Sequence, residues 1–324
     1  MILALESSCD ETCAAVMADD GRLLSSVVAS QSGDHVAFGG VVPEIASRRH
    51  LELIGPTVRA ALAEADAELA DVTRVAVTAG PGLIGALLVG VSYAKGLAYA
   101  LGVPLVAVDH LAGHVASLRL ADAPPVGPHL VLLASGGHTL LVDVDEAGAP
   151  TTIARSMDDA AGEAFDKGAR LLGLGYPGGP ALAALAASGD PDAHPLTTPL
   201  AGRGDLAFSF SGLKTALAQA VARNAAAPAD LAAAYQEAIV QHLLDRARLG
   251  LAATGRGTVG LVGGVAANAR LRERLGELPA AVVAAPLALC GDNAAMIAAA
   301  AVRSAPLDDA ALLRLDAYAR SPLG

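Results

Sequence analysis

The sequence predicts an α/β fold of two similar lobes, each a mixed sheet covered by helices. Chain length, a duplicated order of elements and glycine-rich turns at matching points in the two halves predict it. At 324 residues the chain exceeds one ordinary core and fits two, at roughly 150 residues per domain. Residues 2–6 form an apolar run, followed by a polar turn at 7–11, a second run at 12–18, an acidic turn at 19–22 and a third run at 23–29. Short apolar runs between turn residues are strands. The scheme returns as strands at 129–134, 139–144 and 151–155, with turns at 135–138 and 145–150 between them.

Each triplet is followed by a strand, a glycine loop and a helix: 74–78 with Gly80-Pro81-Gly82, and 259–262 with Gly263-Gly264. Helices at 51–65, kinked at Pro56, and at 229–252 fill the intervals, since apolar residues recur there at steps of three and four. Pro124, Pro125 and Pro128 mark the boundary between lobes. The expected domains are 1–122 and 123–299, with a C-terminal helix at about 300–324 packing back on the first.

Hydrophobic residues make up 53% of the chain but aromatics only 3%, with no Trp, so small side chains must build the core. The uncharged stretch 75–94 approaches the roughly 18–20 residues of a membrane span. Pro81 and Gly82 divide it into a strand, a loop and a helix from about residue 83. No basic segment precedes an apolar run at the start, so no signal peptide is expected; the expected setting is cytoplasmic, without a membrane. Cys9, Cys13 and Cys290 are an odd set that makes no disulfide framework. Cys9 and Cys13 read as packed thiols, because a cluster takes four Cys ligands. A net charge of −11 gives no global attraction for nucleic acid, which has to meet local basic patches or an auxiliary protein.

Several motifs carry chemistry. Ser135-Gly136-Gly137-His138 sits at a mirrored turn after the strand ending Leu133-Ala134. It is either a turn whose backbone N–H groups face a phosphate or a tight hairpin. His110 and His114 lie four apart, and a helix starting there puts both imidazoles on one face, the geometry for one divalent metal. A zinc protease needs Glu directly after the first His, and Leu111 stands there. Asp292 is the attractive third ligand, although taken alone it reads as the cap of the helix that follows. The acidic run 158–167 reads mostly as capping and solvation. Gly263 to Asn268 is either a nucleotide-facing loop or a plain strand-to-helix turn capped by Asn268.

Glu6-Ser7-Ser8-Cys9-Asp10-Glu11-Thr12, Gly39-Gly40-Val41-Val42-Pro43-Glu44, Gly80-Pro81-Gly82, the two histidines, Ser135-Gly136-Gly137-His138, the run 158–167, Tyr176-Pro177-Gly178-Gly179-Pro180, Phe208-Ser209-Phe210-Ser211-Gly212-Leu213-Lys214, Gly263-Gly264-Val265 and Asp292-Asn293 occur in an order that resembles the tRNA threonylcarbamoyladenosine transferase family. Coverage runs from residue 2 to about 297. The resemblance implies a duplicated two-lobe actin/hexokinase/Hsp70-like (ASKHA, ribonuclease H-like) fold with a ligand cleft between lobes. It implies transfer of threonylcarbamoyl from L-threonylcarbamoyl-adenylate to N6 of adenosine 37, in tRNAs reading ANN codons, with release of AMP.

By the same matching, His110, His114 and Asp292 hold one Fe(2+) per subunit, and Leu133, Ala134, Ser135, Gly136, Gly137, Asp166, Gly179 and Asn268 line the adenylate site. The implied partners are tRNA, a paralogous ASKHA subunit (TsaB) and a P-loop ATPase (TsaE). No residue is assigned as base; Glu11, Asp10 and His138 are candidates by location. Arg48, Arg49, Arg203, Lys214, Arg270, Arg272 and Arg274 are candidate tRNA contacts. An ASKHA-type phosphotransferase is the alternative, and a metalloprotease is disfavoured.

Overall fold

The computed structural model describes residues 1–323. The chain divides into two units: Met1–Asp122 together with the chain from Asp292 onward, and Ala123–Gly291.

In the first unit β1 (Ile2–Glu6), β2 (Glu11–Met17) and β3 (Leu23–Ser30) form an antiparallel meander. After the short α1 (Ser32–His35) and the long α2 (Pro43–Glu64), β4 (Arg74–Gly80), α3 (Ile84–Leu101), β5 (Leu105–Asp109) and α4 (His110–Ala116) complete the segment. The sheet order is β3-β2-β1-β4-β5, with β1, β4 and β5 parallel. In β1 all five residues are buried, as a central strand covered on both faces requires. Leu3 and Leu5 pack with Val75 and Val77 into a core shared with Ile54 and Val58 of α2 and Val91 and Ala94 of α3. Alternation along the strand therefore turns Ala4 and Glu6 to the opposite face.

The second unit repeats the plan. It contains β6 (His129–Ala134), β7 (Thr139–Val144), β8 (Pro150–Arg155), α5 (Ala161–Leu171), α6 (Gly178–Ala186), α7 (Ser211–Ala222), α8 (Pro228–Thr254), β9 (Thr258–Val262), α9 (Ala269–Leu275) and β10 (Ala281–Ala284). Its sheet reads β8-β7-β6-β9-β10 with the same parallel and antiparallel pairings, position for position, as the first.

The chain then returns to the first unit with α10 (Ala294–Ala301) and α11 (Asp309–Arg314). Every residue of α10 is buried, and the helix packs on β1, β2 and α4. Residues 292–299, expected in the second lobe, therefore belong to the first. The expected continuous helix at 300–324 is also corrected. Pro306 and Pro322 do not suit a helix interior, and the segment holds the short α11 followed by an extended strap. Ahead of α11, Leu307 N–H donates to Leu105 O at 2.9 Å, and along the strap after it Tyr318 N–H donates to Ala79 O at 2.9 Å. Leu312, Leu315 and Tyr318 lie against the core.

Helix α2 starts eight residues before the position expected from its apolar pattern. Pro43 suits a first turn because its missing N–H is one that a helix start leaves free. The early turns bury Ala46 and His50, which carries no apolar stripe for periodicity to detect. Helix α3 is long and apolar enough to cross a membrane, yet it packs on α2 and β4 as a core helix.

One buried group gives the second unit a marked acid response. His242 of α8 lies edge-on to Phe208 and Phe210, with ring centroids 5.8 and 5.3 Å away, and its Nε2 accepts from Ser209 N–H at 3.1 Å. Burial and the nearby Arg246 push its pKa down to about 4, from 6.5. The folded state keeps the ring neutral while the unfolded chain takes a proton below about 6.5, so stability is lost as pH falls from there towards 4. Urea denaturation should show about 2 kcal/mol less stability at pH 5 than at pH 7 from this group. That component should vanish in His242→Gln, and an identical pH dependence in both proteins would refute the assignment.

Candidate metal centre

Helix α4 is built to present its two histidines. Asp109 ends β5 and caps the helix, its Oδ1 accepting from Leu111 N–H at 2.9 Å and Ala112 N–H at 3.2 Å. Tyr318 of the strap donates its hydroxyl to the other oxygen of Asp109 at 2.9 Å. Gly113 lets α4 lie close to α10, since a Cβ there would stand 2.8 Å from Ile297 Cδ1.

One turn apart, the rings of His110 and His114 meet edge to face at 4.7 Å. Asp292 completes the set: its Oδ1 lies 3.5 Å from His110 Nε2 and 3.3 Å from His114 Nε2. One ligand atom from each of the three lies within 4.8 Å of the others. Asp292 is not the helix cap suggested by its position. Asn293 takes that task, accepting from Met296 N–H at 2.9 Å. The Cys13 thiol donates to the Asp292 carbonyl at 3.6 Å.

The donor set fits a divalent metal on its chemistry. His114 is fully buried, and neither of its ring nitrogens has a hydrogen-bond partner, an arrangement that costs free energy unless something else takes up the lone pair. Two imidazoles and a carboxylate form the facial set of many non-haem iron sites and equally suit zinc. Burial opposes charge on His110, but Asp292 and Glu6 outweigh it and hold its pKa up at about 9.

Glu6 lies against this donor set, a residue that the sequence did not single out on its own. Fully buried at the end of β1, it accepts from His110 Nδ1 at 2.9 Å, Thr78 Oγ1 at 2.6 Å and Ser8 N–H at 2.5 Å. The available signal was an acid closing an otherwise apolar buried strand. On the neighbouring strand, Glu11 accepts from Ser30 Oγ at 2.8 Å, and burial raises its pKa to about 7. His50 holds the intervening loop, its Nε2 lying 3.0 Å from the Cys9 carbonyl and its Nδ1 2.7 Å from Thr12 Oγ1.

The residues expected to bind the adenylate all lie in the second unit. Leu133 and Ala134 end β6 and are buried. Ser135 to His138 form a tight β6–β7 turn, in which Ser135 N–H donates to His138 O at 2.8 Å and His138 N–H to Ser135 Oγ at 3.1 Å. Gly136 and Gly137 are exposed, with open space where a side chain would stand. Two glycines let other loops reach this turn. A Cβ on Gly162 would meet Ser135 O at 2.6 Å, and one on Gly263 would meet Ala134 O at 2.4 Å. The turn, the start of α5 and the loop after β9 thus gather at the carboxyl ends of β6 and β9, where open α/β sheets bind ligands.

Asp166 of α5 accepts from Gly178 N–H at 3.0 Å and Gly179 N–H at 3.1 Å, fixing the start of α6. Asn268 caps α9 through Leu271 N–H at 2.9 Å and donates to Gln236 Oε1 at 2.8 Å. Asp158 does more than solvate: its carboxylate binds the backbone of Phe210 and Ser211 and the hydroxyls of Ser209 and Ser211. Of the basic residues proposed to meet tRNA, most are engaged within the chain. Arg49 pairs with Asp34 and Glu52, Arg270 with Glu237 and Glu273, and Arg274 with Glu237 and Glu277. Arg272 ties Ala266 O to Ala285 O. Arg48 is exposed.

Two solved structures share the fold at low sequence identity. Component A of the (R)-2-hydroxyglutaryl-CoA dehydratase of Acidaminococcus fermentans superposes with a TM-score of 0.59 at 16% identity, covering 94% of this chain and 96% of that one. Full-length HypF gives 0.61 at 16% identity, over 99% of this chain and 56% of its own length. The fold is the two-sheet actin-like ASKHA architecture. The sequence relatives are much nearer. A tRNA N6-adenosine threonylcarbamoyltransferase of Sphingopyxis alaskensis is 52% identical over 96% of this chain and 94% of its own. Proteins of the same name from Bordetella petrii and Symbiobacterium thermophilum are 51% and 52% identical over 93% of this chain and 90% of theirs. Residues 22–299 match the family described as TsaD, tRNA N6-adenosine threonylcarbamoyltransferase. With residues 22–299 matching the family and relatives at half identity over nearly the whole length, the chain belongs to the tRNA N6-adenosine threonylcarbamoyltransferase family.

Proposed function

We propose that the chain transfers threonylcarbamoyl from L-threonylcarbamoyl-adenylate to N6 of adenosine 37, in tRNAs reading ANN codons, and releases AMP. The observation that carries this reading is the convergence of His110, His114 and Asp292 in a chain of this family. The metal is Fe(2+), one per subunit, which the two-imidazole, one-carboxylate set suits. When bound it supplies Lewis acidity that polarises the carbamoyl carbonyl or holds the threonyl group.

The protein's own groups do the rest. Gly136 and Gly137 offer backbone N–H groups to the phosphate as AMP departs, with no Cβ in the way. Asp166 acts through the loop it holds, fixing Gly179 beside the nucleotide, while Asn268 secures the loop after β9. tRNA and the paralogous TsaB and P-loop TsaE subunits complete the working assembly, in the cytoplasm.

The test is product analysis. The chain, its two partner subunits and an adenylate-forming synthase are incubated with unmodified tRNA, threonine, bicarbonate and ATP, and the digested tRNA is examined by mass spectrometry. Threonylcarbamoyladenosine is expected. Its absence with a folded, metal-loaded chain in the full assembly, together with phosphorylation of a small alcohol, would favour a phosphotransferase of the same fold.

A further inference from the structure

We propose that Glu6 is the positioning residue of the metal centre: by accepting from His110 Nδ1 it keeps the proton on that nitrogen and turns the Nε2 lone pair towards the metal. The inference rests on the metal reading of His110, His114 and Asp292 and assigns a role to a residue outside that set.

Strand pairing puts Glu6 in place. β1 runs parallel to β4 with Leu5 opposite Val77, which sets Glu6 beside Thr78 on the sheet face that meets α10. Its carboxylate is enclosed and held by donors: Ser8 N–H on Oε1, Thr78 Oγ1 and His110 Nδ1 on Oε2. An ionised carboxylate only accepts, so the nitrogen facing it has to carry a hydrogen. Ser8 Oγ, 3.2 Å from the same Nδ1, accepts equally well. Of the two neutral tautomers, only the one with its hydrogen on Nδ1 suits Glu6, and it turns the Nε2 lone pair to the side of Asp292 once a metal takes the place of the proton there. Metal-bound histidines commonly have such an outer acceptor, which fixes the ring and strengthens it as a ligand. His114 has no counterpart, since its Nδ1 is buried without a partner. Of the two imidazoles, His110 is thus the one set in advance.

The isosteric change Glu6→Gln separates this role from packing. Ser8 N–H requires an acceptor, so the amide oxygen stays at the Oε1 position and the NH2 group falls towards Thr78 and His110. An NH2 facing Nδ1 makes that nitrogen accept and shifts the proton to Nε2, where the metal binds. Zinc affinity, measured by competition with a chromophoric chelator, should fall about 10–100-fold.

A second measurement stands even if the variant does not fold. In zinc-loaded, 15N-histidine-labelled wild-type protein, His110 should carry its proton on Nδ1. Zinc affinity within twofold of wild type in folded Glu6→Gln would overturn the proposal, as would a His110 proton on Nε2 in the wild type. Product from the wild type with zinc binding undisturbed in the variant defeats this proposal alone. Loss of zinc in the variant with no product from the wild type defeats the functional reading alone.

Discussion

In His114→Ala the metal-dependent rise in melting temperature should disappear and threonylcarbamoyladenosine formation should fall to background. A bound metal stabilises the fold in proportion to the logarithm of its concentration over its dissociation constant, so wild-type protein should melt higher with added metal. Removing a direct ligand should cost more than the roughly 10–100-fold that loss of an outer partner costs. The metal-free variant should lose little stability by comparison. Its new cavity is offset by removal of a fully buried ring whose two nitrogens make no hydrogen bond. Calorimetry with and without metal gives both numbers. An unchanged metal response would exclude His114 from the site.

Gly263→Ala should destabilise the second unit by more than about 3 kcal/mol. Gly263 has φ 91° and ψ 166°, a region that residues with a Cβ avoid at a cost of roughly 1–3 kcal/mol. The added Cβ would also stand 2.4 Å from Ala134 O. That oxygen belongs to backbone at the end of β6, whose neighbour Leu133 is paired with Val262, so neither side yields without parting the two strands. Gly264→Ala is the internal control, because nothing lies within 4 Å of its Cβ position; it should cost less than about 1 kcal/mol. Equal urea midpoints for the two variants would contradict this account.

The duplicated plan was legible because a strand, turn, strand unit leaves a local mark: apolar runs near residues 2, 12 and 23 and again near 129, 139 and 151, each bounded by turn formers. His110 and His114 were legible for the same reason, as their spacing matches one helical turn. Features that depend on distant pairing were not. β10 is four residues long with no buried position, and it is a strand because β9 offers it an edge. The fate of residues 292–299 was set by what covers the far face of β1, which the alanine-rich α10 fills and which no local pattern announces. Asp292 beside Asn293 offered two caps for one helix start, and it is Asn293 that takes the role. Glu6 lay inside a recognised motif, but its role depends on Thr78 and His110, brought to it by strand and helix packing.

The unit that holds the candidate metal ligands is made from two separate stretches of the chain, Met1–Asp122 and the chain from Asp292 onward, with Ala123–Gly291 between them in sequence. During synthesis the ribosome delivers β1 to α4 first, then the whole continuous unit Ala123–Gly291, and only then Asp292 and α10. Until that point one face of the first sheet lacks its cover, and two histidines wait for their carboxylate. A nascent or prematurely ended chain therefore has an exposed apolar sheet face and no complete metal site. The candidate donor set is complete only once Asp292 has been made.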